Sequence, residues 1–76
     1  MTEREWLENF SENLIEWLEE TQMTQRELAD AAGLSESSVS DYVHGRKLPG
    51  VKALTNIAYV LDVTFDELMD FEDRIR

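Results

Sequence analysis

The residues of this 76-residue sequence that could do chemistry fall into two groups. Arg46, Lys47 and Lys52 lie close together in the chain, and such cations either bind phosphate groups or serve as solubilising surface charges. A run of glutamates occupies the first helix-like segment, where paired carboxylates could support acid–base catalysis. The sequence has a single histidine, His44, and no cysteine, so we expect no transition-metal site.

The glutamates are better explained as the polar face of an amphipathic helix. Residues 2–5 have the form of a capping box, which predicts a helix that begins near Glu3. Apolar residues then recur at steps of three and four, with the glutamates between them. These apolar residues are Leu7, Phe10, Leu14, Trp17 and Leu18. We therefore expect a solvated acidic face and no catalytic residue, while the weak helix formers Ser11 and Asn13 allow a break near residue 11.

Two short helices follow, and a turn that contains a glycine joins them. A capping box at residues 24–27 opens the second helix, and Gly33 ends it in the left-handed conformation that glycine adopts readily. Ser35 is a good N-cap for a third helix from Glu36 to about His44. This is the helix-turn-helix arrangement, whose second helix enters a DNA major groove.

A fourth helix and a short fifth helix complete the predicted fold. Pro49 favours a loop before the fourth helix, which we expect over about residues 51–61. It should bury Leu54 and the apolar residues that follow it, and a further capping box at residues 64–67 opens the fifth helix. No segment alternates apolar and polar residues as a half-buried strand would, so the expected fold class is all-α.

Length and composition limit the possible domain organisation and cellular location of the protein. We expect a single domain over residues 1–76, with the helix-turn-helix at 24–45 and an extended or frayed end at 70–76. No apolar run is long enough to span a membrane, and no signal-peptide pattern is present. We therefore expect a cytoplasmic protein with no membrane association, no cofactor and no small-molecule substrate.

The pattern across these helices resembles the lambda-repressor-like family of helix-turn-helix proteins, also described as Cro-type or xenobiotic-response-element proteins. The resemblance covers about Leu14 to Met69, and its specificity comes from the combined pattern. The matching positions are Thr24-Gln25-Arg26-Glu27-Leu28-Ala29, Gly33-Leu34-Ser35, Val39-Ser40, Gly45, Pro49, Leu54, Ile57-Ala58, Leu61, Val63 and Leu68. The resemblance implies a compact five-helix DNA-binding domain that places helix 36–44 in the major groove.

The resemblance also implies which residues contact DNA. The expected set is Gln25, Arg26, Glu36, Ser37, Ser40, Asp41, His44, Arg46, Lys47 and Lys52. Base edges should be faced by Glu36, Ser37, Ser40 and Asp41, whereas the members outside the recognition helix should touch phosphates. Alternatives stay open for four members: Arg26 can pair with Asp30, Glu36 can interact with the helix dipole, Asp41 can be an ordinary helix carboxylate, and His44 can remain a helix C-terminal residue.

Two departures from the family pattern concern charge. Family members often pair an Arg late in the first helix with a Glu late in the recognition helix, but the matching residues here are Leu18 and Val43. A packed contact can replace such a buried ion pair without loss of stability. Glu36 and Asp41 place carboxylates on the recognition helix, where they can accept from cytosine N4 but also repel phosphate.

The net charge of −10 also opposes binding to a polyanion, but its distribution is uneven. Residues 1–23 carry seven acidic and one basic side chain, whereas residues 24–50 carry four acidic and three basic ones. The helix-turn-helix region is therefore close to neutral, and the acidic charge is concentrated in the first helix and near the C-terminal end.

The leading hypothesis is a small sequence-specific transcriptional regulator that binds a double-stranded DNA operator as a homodimer. The resemblance places the dimer surface on the fifth helix and the C-terminal segment, at Phe65, Met69, Phe71 and Ile75. The alternative is a protein-interaction module, antitoxin-like or an anti-repressor, that keeps the fold but does not bind DNA. No nucleophile–base pair, metal set or phosphate loop is present in the sequence, so an enzyme is not expected.

Overall fold

The computed structural model describes residues 2–69, and within this range the chain forms five helices and no strand. The helices are α1 (Glu3–Thr21), α2 (Gln25–Ala32), α3 (Glu36–Val43), α4 (Val51–Leu61) and α5 (Phe65–Leu68). The predicted all-α, five-helix architecture is confirmed. Phe71, Ile75 and the predicted frayed end at 70–76 lie outside the described residues.

Side-chain caps set the start of four of these helices. Thr2, Thr24 and Thr64 each accept from a backbone N–H three residues on, and a glutamate at that third position accepts from the cap residue in return. Ser35 caps α3. The fourth helix, α4, begins after Gly50 with no side-chain hydrogen bond to its first turn. Its first N–H groups are therefore left without a side-chain partner.

α1 runs without interruption past residue 11, so the break that the sequence allowed there is absent. The polar side chains that suggested the break instead bind the ends of other helices. Ser11 donates through Oγ to the carbonyl oxygen of Val43, at the end of α3. Asn13 donates through Nδ2 to the carbonyl oxygen of Leu68, at the end of α5, over 2.7 Å. Both residues weaken the helix locally but anchor it to its neighbours.

The buried amide of Asn13 provides a test of this anchoring. Asn13→Ala should lower the free energy of unfolding by about 1–3 kcal/mol, because the Leu68 carbonyl would lose its donor in a buried position. Asn9 is equally buried, but its Nδ2 lies 3.4 Å from the Met69 carbonyl oxygen, so Asn9→Ala should cost less. Equilibrium denaturation of the two variants measures the difference, and an equal or reversed order would contradict the assignment.

One hydrophobic core joins all five helices. Its fully buried side chains are Phe10, Leu14, Leu28, Val39, Ile57 and Leu68. α2 packs on both α3 and α4, and α1 packs against α3, which holds the helix-turn-helix between the first and fourth helices. Leu54 was predicted to be buried, but it is only half-buried at the edge of the core, as Trp17 is. None of the helices in residues 2–69 is long and apolar enough to cross a membrane.

Candidate nucleic-acid interface

The core fixes which face of α3 points outward. Its buried side consists of Val39, Tyr42 and Val43. Its outer side carries the four residues predicted to face bases, which are Glu36, Ser37, Ser40 and Asp41. The first two are exposed, and the other two are half-buried one turn later. Because these positions are related by one helical turn, they share one face, and the structure brings all four predicted residues together.

Two serines, Ser35 and Ser38, form hydrogen bonds with each other at the N-terminal end of α3. Ser35 Oγ accepts from the backbone N–H of Ser38 over 3.0 Å, and the two hydroxyl groups lie 2.9 Å apart. Ser38 was not among the predicted interface residues, although its position three residues after an N-cap serine signals this pairing. Within residues 2–69, the hydroxyl of Ser37 makes no hydrogen bond, so it is available to a ligand.

His44 follows α3 as its C-terminal cap residue. Its Nδ1 lies 2.8 Å from the carbonyl oxygen of Ser40 and 3.3 Å from Ser40 Oγ. A carbonyl oxygen can only accept, so this pattern assigns the proton to Nδ1 and leaves the exposed Nε2 for another partner. The structure thus supports the helix-terminal role for His44, and a protonated Nδ1 leaves the Ser40 hydroxyl able to donate to another partner.

Asp41 contacts both cations of the loop that follows α3. Its Oδ1 lies 3.1 Å from Arg46 Nη1, and its Oδ2 lies 3.6 Å from Lys47 Nζ. The Lys47 ammonium also lies 5.8 Å from the centroid of the Tyr42 ring. The two predicted phosphate-binding cations therefore converge at the last turn of α3, and the carboxylate predicted to face a base is engaged with them.

The start of α2 carries an acidic group that sequence analysis did not include in the interface. Gln25 is the first residue of α2 and is half-buried. Beside it, Thr24 donates its backbone N–H to Glu27 Oε1 over 2.9 Å and accepts from the Glu27 N–H. These hydrogen bonds from the Thr24 backbone and side chain lower the pKa of Glu27, so its carboxylate is charged at neutral pH. A phosphate at Gln25 would meet this charge.

The remaining predicted cations are exposed. Arg26 lies on the first turn of α2, and the ion pairs among the described residues do not include the Arg26–Asp30 pair that the spacing allowed. Lys52 lies on the first turn of α4, which has no side-chain cap and no acidic residue. A helix N-terminus with free N–H groups and a lysine suits a phosphate. Lys52 is thus better placed for this role than Gln25.

Leu18 and Val43 are the two residues that the family resemblance matched to the members of an ion pair. Each is 8% exposed, and both belong to the hydrophobic core. Together with Ile15 and Met23 they line one open depression of about 420 Å³. Leu18 and Val43 are thus apolar residues of the core that border the same depression.

Known proteins share this arrangement of helices. The sequence profile of the helix-turn-helix family matches residues 14–68. The chain belongs to the helix-turn-helix family. The resemblance to lambda-repressor-like proteins that the motifs predicted is thereby confirmed.

One relative and one solved structure resemble this helix-turn-helix chain. It is 36% identical over 63 residues, 83% of its length, to the uncharacterized HTH-type transcriptional regulator YqaE of Bacillus subtilis strain 168. The chain spans 54% of that protein's length. The solution structure of the SOS-response transcriptional repressor LexA from Eubacterium rectale superposes with a TM-score of 0.83 at 23% identity, over 92% of this chain and 74% of that one. The second comparison establishes the fold.

The structure describes only part of the predicted dimer surface, because Phe71 and Ile75 lie outside residues 2–69. Phe65 is 43% exposed on α5, and Met69 is half-buried against the core. On the neighbouring helix α4, Tyr59 is 86% exposed and Val51 is 78% exposed, which sequence analysis did not anticipate. Their eight-residue separation places them on one side of α4.

Proposed function

We propose that this chain is a sequence-specific DNA-binding transcriptional regulator that inserts α3 into the major groove of an operator. The observation that carries the proposal is the polar outer face of α3, flanked by the cations of the following loop and by the uncapped start of α4. A helix that reads bases needs such a face, with phosphate-binding groups on either side of it. The B. subtilis relative, an HTH-type transcriptional regulator by name, supports the same conclusion.

In the proposed complex, different residues position the protein and select the sequence. Arg46, Lys47 and Lys52 bind phosphates, and Gln25 and Arg26 at the start of α2 bind a further phosphate. Glu36, Ser37 and Ser40 face base edges, and His44 presents Nε2 toward the backbone of the DNA. The hydroxyl of Ser37 contributes most to base selection because it is exposed and has no partner within residues 2–69.

Most of the net charge of −10 comes from residues outside the helix-turn-helix. Part of it nevertheless lies beside the proposed interface, because Glu8 and Glu12 of α1 line a depression together with His44. Residues 1–23 hold most of the excess, and in α1 their carboxylates line the exposed face. The expected affinity is modest and strongly dependent on salt, since a few phosphate contacts must overcome the long-range repulsion of the whole chain.

We further propose that the protein acts as a homodimer on two half-sites about 10–10.5 bp apart, or a multiple of that spacing. Phe65 and Met69 would form the described part of the dimer surface, and Phe71 and Ile75, outside the described residues, would complete it. Residues 1–76 would act as one domain without a cofactor, and the DNA partner implies a cytoplasmic location.

The alternative, a protein-interaction module that does not bind DNA, receives less support. A regulator among the relatives favours the DNA-binding hypothesis over an antitoxin-like or anti-repressor role. The chain's family is one of transcription regulators rather than enzymes, and no catalytic function is proposed.

The proposal is tested by competition between duplexes. A labelled duplex from the region upstream of the protein's own gene is titrated with the protein, and unlabelled specific or unrelated duplexes of equal length compete. A specific site should compete at least about 10³-fold better than unrelated DNA. Equal competition by every duplex would contradict sequence-specific regulation.

Ser37→Ala should alter base preference while it leaves general DNA affinity nearly unchanged. Losing one hydrogen bond to a base edge should reduce discrimination at a single base pair by about 1 kcal/mol. Selection from a randomised duplex pool measures this change. Ser38→Ala is the matched control, because the Ser38 hydroxyl pairs with Ser35 and should leave the selected sequence intact. A uniform loss of affinity in Ser37→Ala would contradict the base-reading role.

A further inference from the structure

Asp41 occupies a position from which a recognition helix reads bases, yet each of its carboxylate oxygens already faces a cation. Arg46 Nη1 lies 3.1 Å from Oδ1, and Lys47 Nζ lies 3.6 Å from Oδ2. The side chain of Asp41 is 29% exposed, whereas those of Arg46 and Lys47 are 59% and 52% exposed. The Asp41 carboxylate is therefore less exposed to solvent than the two cations that contact it.

The backbone after α3 brings the two cations to this carboxylate. Gly45 has a φ of 69°, which turns the chain back toward the helix. The backbone N–H of Arg46 then donates to the carbonyl oxygen of Asp41 over 2.8 Å. Lys47 Nζ also lies 5.8 Å from the Tyr42 ring centroid. The loop thus adds a backbone bond and a ring contact to the two ion pairs.

A carboxylate and a phosphate compete for the same donors. Both are oxyanions that accept from guanidinium and ammonium groups in similar geometries. Asp41 therefore holds Arg46 and Lys47 in the way that a phosphate of the DNA backbone would hold them. Because exposed ion pairs of this kind are weak, a phosphate can displace the carboxylate at little cost.

We propose that Asp41 is a positioning residue that stands in for a DNA phosphate in the free protein and does not read a base. The inference rests on the proposed function, because it concerns the same cations in the same complex. In the free protein, Asp41 keeps Arg46 and Lys47 together at the end of α3. When DNA binds, the carboxylate gives up the cations and repels the approaching phosphate, which lowers affinity for all sequences alike.

Asp41→Asn tests the proposal directly. The amide removes the negative charge with little change of shape, so affinity for specific and unrelated duplexes should rise by the same factor, about three- to tenfold at 0.1 M salt. The slope of log K against log salt should become steeper by about one for each subunit. Asp41→Ser, which removes the same charge with a smaller side chain, should show the same gain.

Glu20→Gln is the matched control, because it makes the same charge change on the exposed face of α1. It should alter affinity by less than about twofold, because the ion pairs among the described residues do not join Glu20 to a proposed phosphate-binding cation and salt screens exposed charges. An equal gain in Glu20→Gln would show that Asp41 acts only through net charge, and that result would overturn the proposal.

A double-mutant cycle between Asp41 and the two loop cations tests whether they act together. In an Arg46→Ala, Lys47→Ala background, Asp41→Asn should produce a smaller gain, because the cations that it releases are absent. A selective loss at the specific duplex would mean that Asp41 reads a base, and unchanged affinity would mean that it is only structural; both overturn the proposal. If wild-type protein bound no duplex, the proposed function and the inference would fail together, whereas wild-type binding without the gain would overturn the inference alone.

Discussion

Protein with alanine at both Arg46 and Lys47 is expected to bind every DNA duplex roughly a hundredfold more weakly for each bound subunit at 0.1 M salt. Each phosphate contact releases about one counterion, so its loss should cost about tenfold at that salt concentration. The two cations lie beside the recognition helix, and both are more than half exposed. Their loss should weaken binding irrespective of sequence, because phosphates carry no direct base information.

Salt titration of the double variant provides the measurement. The slope of log K against log salt should become shallower by about two for each subunit, and the order of preferred sequences should persist. Arg4→Ala is a matched control, because Arg4 is an exposed cation that pairs with Glu8 on α1. An unchanged slope, or a loss confined to one sequence, would contradict the phosphate-binding role of the loop.

Phe10→Ala is expected to remove a large part of the stability of the folded domain. Phe10 is completely buried in α1, the helix that packs on α3, α4 and α5. Truncation of a buried Phe to Ala typically costs about 3–5 kcal/mol, which combines lost transfer free energy with the cost of a cavity. A domain of this size has a total stability of about 4–11 kcal/mol, so the variant should lose a large part of it.

Thermal unfolding followed by circular dichroism measures this effect. The unfolding midpoint should fall by at least about 12 °C, because each kcal/mol lowers it by about 4–8 °C in a domain of this length. Tyr59→Ala is the control, since Tyr59 is 86% exposed and its removal should leave stability within about 0.5 kcal/mol. A small shift for Phe10→Ala would mean that α1 does not organise the core.

Local sequence signals predicted the helix starts well because capping chemistry acts within four residues. The capping boxes at residues 2–5, 24–27 and 64–67 are all formed, and Ser35 caps α3 as expected. Gly33 has the predicted left-handed conformation, with a φ of 69°. In contrast, α1 and α4 end at left-handed Gln22 and Asp62, and neither residue is the glycine that sequence patterns associate with a helix end.

Contacts between residues distant in the chain were not predictable in this way. Ser11 and Asn13 were expected to weaken α1, because their local sequence does not show their hydrogen-bond partners. These partners lie 32 and 55 residues further along the chain. The cluster around Asp41 also escaped prediction, although its members are close in sequence. It depends on the turn at Gly45, which directs two loop side chains back onto α3. Sequence patterns indicate which face of a helix a residue occupies, but not which side chain or backbone group it contacts in the folded protein.

The most direct test of the central claim is the binding of wild-type protein to duplex DNA from the region upstream of its own gene, measured across a range of salt concentrations. Phosphate contacts from Arg46, Lys47, Lys52 and the start of α2 predict a log–log slope between about −2 and −4 for each bound subunit. The affinity for that duplex should exceed the affinity for an unrelated duplex at every salt concentration. The absence of salt-sensitive binding to any duplex would contradict the DNA-binding function and favour a protein partner.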